Sequence, residues 1–247
     1  MTPAKPWNYP RFVAHRGGGS LAPENTLSAM RTGTHFGYKM AEYDVKLSSD
    51  GVAILMHDSV LDRTTNGKGS AGDLTFAEIA ALDAGSWYSP SFAGETVPTL
   101  DAIARYTQAV GMASNIEIKP TPGLEAITGA RVAELAQTLW ASAALPPLLS
   151  SFSIESLRAA KQAVPSLPRG WITDSLGEDW QRTVAELGCV SVHLKHTLVT
   201  QALIAELRQV GLRIAVWTVN DPVRANELLD WGIDALITDA LDRIEPR

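Results

Sequence analysis

One cysteine, Cys189, is all that the 247 residues contain, so no intrachain disulfide can form. Its neighbours, GCVSVHL, read as a buried strand, and its thiol reads as a small core group, not a nucleophile. A chain of this length can bury a core without disulfides or a structural metal. Excess positive charge is also missing. Lys and Arg total 21 against 27 Asp and Glu, a formal net charge of -6, which argues against a nucleic-acid partner. No apolar run is long enough to span a membrane. The opening stretch MTPAKPWNYPRF lacks the apolar centre of a secretory signal. A cytoplasmic protein without a membrane partner is expected, short of a leader removed beforehand. Low-complexity segments and short tandem repeats are absent.

What is present is an alternation of apolar strands and helical patterns, the mark of βαβ units and a parallel sheet. Strands are expected at 12–16, 40–47, 113–119, 148–152, 170–173, 190–195, 213–219 and 233–238. A first helix opens near Asn25 and stops at Gly37. Ser153 reads as an N-cap, and Asn220-Asp221-Pro222 as a cap with proline in the first turn. Ser48-Ser49-Asp50-Gly51 is too short for a parallel crossover, which needs about a dozen residues, so 52–56 is expected to return antiparallel as a hairpin. Residues 59–97 do not fit a barrel unit. They read as a small insertion, with a capped helix at Thr75 and Glu78 and with Trp87, Tyr88 and Phe92 packing it down. Eight βα units favour a (β/α)₈ TIM barrel, an α/β fold, occupying 1–247 as a single domain.

The polar residues then fall together. Active sites of such barrels lie at the C-terminal strand ends. Strand one ends in His15 and Arg16, followed by three glycines that would let a ligand approach the backbone. Glu42 and Asp44 share one strand face, and two carboxylates there are costly without a compensating cation. The hairpin returns His57 to them. Glu117 and Lys119 share the polar face of the third strand, and Trp217 points inward near the end of the seventh. Three carboxylates make a hard oxygen site suited to Mg²⁺, Ca²⁺ or Mn²⁺. Arg16 and Lys119 suit a phosphate, and two histidines can supply an acid and a base. Each group also has a plainer reading: rim salt bridges for Glu42 and Asp44, an ion pair for Glu117 with Lys119, core packing for Trp217, a turn for Asp58. Their convergence on one barrel mouth weighs against scattered structural roles. His35, His193 and His196 read as structural or surface residues.

His15-Arg16-Gly17, Pro23-Glu24-Asn25-Thr26, Glu42-x-Asp44, His57-Asp58, Leu61-Asp62-Arg63-Thr64-Thr65, Glu117-Ile118-Lys119, Ser151-Phe152 and Trp217-Thr218-Val219-Asn220 resemble the motifs of the glycerophosphodiester phosphodiesterases, in order and spacing, over nearly the whole chain. The resemblance implies a TIM barrel with a small inserted segment. It implies hydrolysis of small-molecule glycerophosphodiesters to sn-glycerol 3-phosphate and an alcohol. It implies Glu42, Asp44 and Glu117 as ligands of one divalent cation, Mg²⁺ by likeness to the bacterial cytoplasmic subgroup, with Ca²⁺ or Mn²⁺ as alternatives. His15 and His57 would be the acid/base pair, Arg16 and Lys119 would hold phosphate, and Trp217 would pack on glycerol. His193-Leu194-Lys195 departs from the neutral polar residue that many members carry there, and no role is assigned to it. A phospholipase-type phosphodiesterase and a non-catalytic phosphate-binding barrel are the competing readings.

Overall fold

A computed structural model of the chain describes residues 7–246. The start of the stretch inspected for a leader, residues 1–6, lies outside the described residues. The strands are β1 (Phe12–Ala14), β2 (Met40–Leu47), β3 (Ala53–Leu55), β4 (Ala113–Ile118), β5 (Leu148–Ser151), β6 (Arg169–Thr173), β7 (Ser191–Lys195), β8 (Arg213–Trp217) and β9 (Ala235–Thr238). Parallel pairing runs β1-β9-β8-β7-β6-β5-β4-β2, and β1 also pairs with β2. The ring therefore closes with eight strands among the described residues: it is a TIM barrel. β3 hangs outside the ring, antiparallel to β2, with Val45 opposite Leu55 and Leu47 opposite Ala53. The hairpin expected from the four-residue turn is present.

Helices α1 (Leu27–His35), α3 (Leu100–Ala109), α4 (Glu125–Leu139), α5 (Ile154–Ala163), α6 (Trp180–Leu187), α7 (Gln201–Gln209) and α8 (Pro222–Asp230) follow the ring strands, and the short α2 (Phe76–Ala80) lies between β3 and α3. Their starts are chemically marked. The side chains of Thr26, Thr99, Ser153, Thr200 and Asp221 each accept a backbone N–H of the first turn, satisfying donors that the helix cannot. Thr75 and Glu78 form the expected capping box.

Strand alternation divides the core. Tyr43, Val45, Ile116, Ile118 and Leu149 face the helices and are buried with Leu100, Ile103 and Val132. The residues between them point into the barrel. There a small apolar plug of Val13, Met40, Leu148, Ala215, Ala235 and Ile237 fills the lumen, as a closed barrel of eight strands requires. Segment 59–97 carries its own small core of Leu61, Ala71, Ile79, Ala84 and Val97 against Ile54 and Met56. Trp87 and Tyr88 do not pack it down as expected: both stay exposed, at 40% and 36%. Polar contacts add to that apolar attachment. Tyr88 Oη donates to the Ser20 carbonyl at 2.7 Å, and Ser28 N donates to Glu95 at 3.1 Å.

Candidate active site

β1 stops at Ala14, two residues earlier than expected, and releases His15 and Arg16 into a tight loop. Arg16 and Asn25 both have left-handed backbones (φ 49° and 60°), which non-glycine residues rarely adopt and which cluster where geometry is functionally constrained. The cause is visible. Arg16 N donates to Glu42 Oε2 at 3.1 Å, and Asn25 N donates to the Arg16 carbonyl. Asn25 Nδ2 donates to Asp44 Oδ2 at 2.8 Å, while Asp44 N donates back to Asn25 Oδ1 at 3.0 Å. Asn25 is therefore not the opening of the helix but a clamp on Asp44, and Thr26 is the cap. The glycines are required by packing as well. A Cβ on Gly17 would meet the Met30 side chain at 2.8 Å, and one on Gly19 would meet the Asp239 carbonyl at 2.3 Å. They seat the loop on α1 and on the end of β9.

Glu42 and Asp44 on β2 and Glu117 on β4 point into one mouth because Asp44 sits opposite Glu117 in register. All three are buried, and one carboxylate oxygen from each lies within 4.8 Å of the others. Burial first, and Asp44 second, pushes the Glu42 and Glu117 carboxyls well above the usual range. Asp44 is held below it: burial opposes this, but Arg16, His57, Lys119 and Asn25 outweigh burial. Glu42 Oε1 is buried with no hydrogen-bond donor among the described residues. Crowded acids, an orphaned oxygen and an all-oxygen donor set fit a hard divalent cation.

Two imidazoles flank this cluster. His15 Nδ1 lies 2.5 Å from Asp239 Oδ1, and His57 Nδ1 lies 2.7 Å from Asp58 Oδ1. Both aspartates are held below the carboxylate range and are ionised. An ionised carboxylate can only accept, so each Nδ1–H donates and each Nε2 is left for the cavity. His15 Nε2 stands 3.8 Å from Glu42. Burial lowers the affinity of His15 for its proton, but Asp239 and Glu42 outweigh it and the net shift is upward. His57 shifts downward, chiefly through burial. Arg16 Nε lies 3.6 Å from Asp44. Lys119 Nζ donates to Glu117 at 2.8 Å and sits 5.3 Å above the Phe152 ring. Phe152 meets Trp217 edge-on, with ring centres 5.4 Å apart, and Trp217 Nε1 donates to the His193 carbonyl at 3.1 Å.

All eight residues singled out in the sequence, His15, Arg16, Glu42, Asp44, His57, Glu117, Lys119 and Trp217, line a single cavity of about 210 Å³. Others were missed. Asp239 and Asn220, which donates to it at 3.1 Å, support His15 from across the chain; the trailing Asn of Trp217-Thr218-Val219-Asn220 was the available signal. Asp58, read as a turn, orients His57. Asn115 and His193 also line the cavity; of the two readings given to His193, structural or surface, its 1% exposure fits the structural one. Its place on the inward face of β7, two residues from Ser191, could have shown this. Lys46, fully buried, donates to the His57 carbonyl at 3.1 Å.

Known proteins resemble this chain along almost its full length. A Bacillus subtilis protein provisionally named a glycerophosphodiester phosphodiesterase (YhdW) is 35% identical, covering 94% of this chain and 96% of its own. The glycerophosphodiester phosphodiesterase of Caldanaerobacter subterraneus is 32% identical, over 92% and 93%. The structure of an Oleispira antarctica phosphodiesterase, solved with the product sn-glycerol-3-phosphate, superposes with a TM-score of 0.91 at 35% identity, covering 96% of this chain and 95% of that one. The model of the glycerophosphoryl diester phosphodiesterase family matches residues 15–243. With these relatives and this match, the chain belongs to the glycerophosphoryl diester phosphodiesterase family.

Proposed function

We propose that this protein hydrolyses soluble glycerophosphodiesters to sn-glycerol 3-phosphate and an alcohol, with His15 and His57 as the general acid/base pair. The observation that carries this reading is the arrangement of two imidazoles, each with Nδ1 on an ionised aspartate, around one cavity with an acidic triad. The two imidazoles are also pushed in opposite directions, His15 upward by Asp239 and Glu42 against burial and His57 downward chiefly by burial, a pattern in keeping with an acid/base pair.

Glu42, Asp44 and Glu117 would hold one divalent cation, with Mg²⁺ as the working choice and Ca²⁺ or Mn²⁺ as alternatives. Such an ion supplies Lewis-acid polarisation of phosphate and hydroxyl oxygens. Arg16 and Lys119 bind the phosphate, and Trp217 with Phe152 forms an apolar wall for glycerol carbons. One imidazole Nε2 removes the proton of the glycerol hydroxyl beside the ester, and that oxygen attacks phosphorus. The other imidazole protonates the leaving alcohol as its P–O bond breaks. Water then opens the cyclic phosphodiester with the two histidines exchanging roles. Segment 59–97 is a small insertion within a single domain and covers part of the site. His57 just before it, Arg63 within it bonded to Asp58 and Glu24, and its ties to Ser20 and Ser28 support that placement.

His15→Ala and His57→Ala, assayed on glycerophosphocholine for release of glycerol 3-phosphate, test the scheme. Each is expected to lower kcat by roughly 10²–10⁴-fold. Turnover near wild type in either variant removes that residue from it.

A further inference from the structure

We infer that Arg63 is a positioning residue that holds both halves of the site at once: His57 through Asp58, and Arg16 through Glu24. The inference rests on the reading above and adds a residue to it. Arg63 comes from the segment outside the barrel ring, yet its guanidinium fills the gap between two acids that both touch the cavity groups. Nε donates to Asp58 Oδ2 at 2.6 Å and Nη2 to Asp58 Oδ1 at 3.2 Å. Nη1 donates to Glu24 Oε2 at 2.7 Å and Nη2 to Glu24 Oε1 at 2.8 Å. Glu24 Oε1 also accepts from Arg16 Nη1 at 2.8 Å. An unbroken chain therefore runs Arg16, Glu24, Arg63, Asp58, His57.

Chemistry makes the fork necessary. Asp58 has one oxygen on His57 Nδ1 and needs a second partner to fix its plane. Glu24 has to face two arginines, and its own carboxylate sets where the Arg16 head lies. Only a planar guanidinium satisfies two carboxylates with four donors in fixed directions. An ammonium group would be a point charge free to choose one of them. Groups that orient a functional imidazole in this way matter by roughly 10–100-fold in well-studied outer shells. Arg63 itself does not line the cavity; it reaches the cavity groups through Asp58 and Glu24.

Arg63→Gln, Arg63→Lys, Asp58→Asn and Glu24→Gln are compared on glycerophosphocholine, with kcat and KM measured separately. Arg63→Gln is expected to lower kcat by about 10–100-fold and to raise KM. Asp58→Asn is expected to reproduce the fall in kcat, and Glu24→Gln the rise in KM. Arg63→Lys restores at most one of the two. In a His57→Ala background, Arg63→Gln is expected to add no further fall in kcat, because residues acting as a unit are not additive. Unchanged circular dichroism and melting of the variants excludes misfolding, and the exposed position of Arg63, with 44% of its side chain accessible, makes that the expected result. Wild-type kinetics in Arg63→Gln, or a full additional loss of kcat on top of His57→Ala, overturns the inference. Wild-type turnover in His57→Ala alone would instead overturn the catalytic scheme, which keeps the two failures distinct.

Discussion

His193 shows how a single buried group couples the barrel to pH. Its ring lies against Gly170, where a Cβ would sit 2.3 Å from Nε2, and Nε2 is 3.0 Å from Ser191 Oγ. Burial pushes its pKa down to about 3. The unfolded chain takes up a proton at the ordinary value of about 6.5, and the folded one does not. Between those two values the unfolded state binds more protons, so this group's contribution is complete above about 6.5 and is lost as pH falls, by about 1.4 kcal/mol per pH unit. His193→Phe is expected to flatten the fall in stability from about pH 6.5 to pH 5 in urea titrations. An unchanged slope would show that the proton is taken up elsewhere. At this scale the sequence was legible where alternation along one strand did the work, as for Glu42 with Asp44 and Glu117 with Lys119. It was not legible where the partner lies far along the chain. Asp239, 224 residues from His15, becomes its neighbour only because β9 closes the ring beside β1.

The elements were readable because each carried its own stop and start. The five residues between β2 and β3, with Ser48-Ser49-Asp50-Gly51 as the turn, allowed only a hairpin, and Ser153 and Asp221 marked helix starts by chemistry alone. The first loop was harder. Its glycines invited a ligand-facing reading, but a Cβ on Gly17, Gly18 or Gly19 would collide with Met30, Ala22 and Ala29, or Asp239, so each is also required by packing. Gly33 belongs to the same packing: a Cβ there would sit 2.3 Å from the Gly17 carbonyl oxygen and 3.3 Å from Ala14 Cβ. Helix propensity alone would make Gly33→Ala stabilising by about 1 kcal/mol. Packing should win, because α1 cannot move off β1 without shifting the His15–Arg16 loop. Gly33→Ala is expected to cost about 1–3 kcal/mol in urea unfolding and to lower turnover with it. A more stable variant would show that the contact relaxes freely. The 59–97 segment was recognised as foreign to the βα repeat. Its mode of attachment was not, because exposed aromatic residues and buried ones look alike in a sequence.

For the whole molecule, the barrel gathers three acids, of which the fold alone compensates only Asp44. Burial and mutual repulsion raise Glu42 and Glu117. With no cation bound, the folded state then holds protons that the unfolded state has released, and stability falls as pH rises above the ordinary carboxylate range of about 4.3. A cation requires the ionised forms and binds only the folded chain, so its stabilising effect grows with pH. The rise in Tm on adding Mg²⁺ is expected to increase from about pH 5 to about pH 8 and to vanish in Glu117→Gln. A pH-independent rise would place the ion elsewhere. Among the described residues no helix is long and apolar enough to cross a membrane.

The most direct measurement is release of glycerol 3-phosphate from glycerophosphocholine by the wild-type protein, first under a strong chelator and then with Mg²⁺ restored. Silence under the chelator and recovery with the ion is the expected result. Equal turnover in both conditions would contradict the assignment of the acidic triad, and no product in either would contradict the proposed reaction itself.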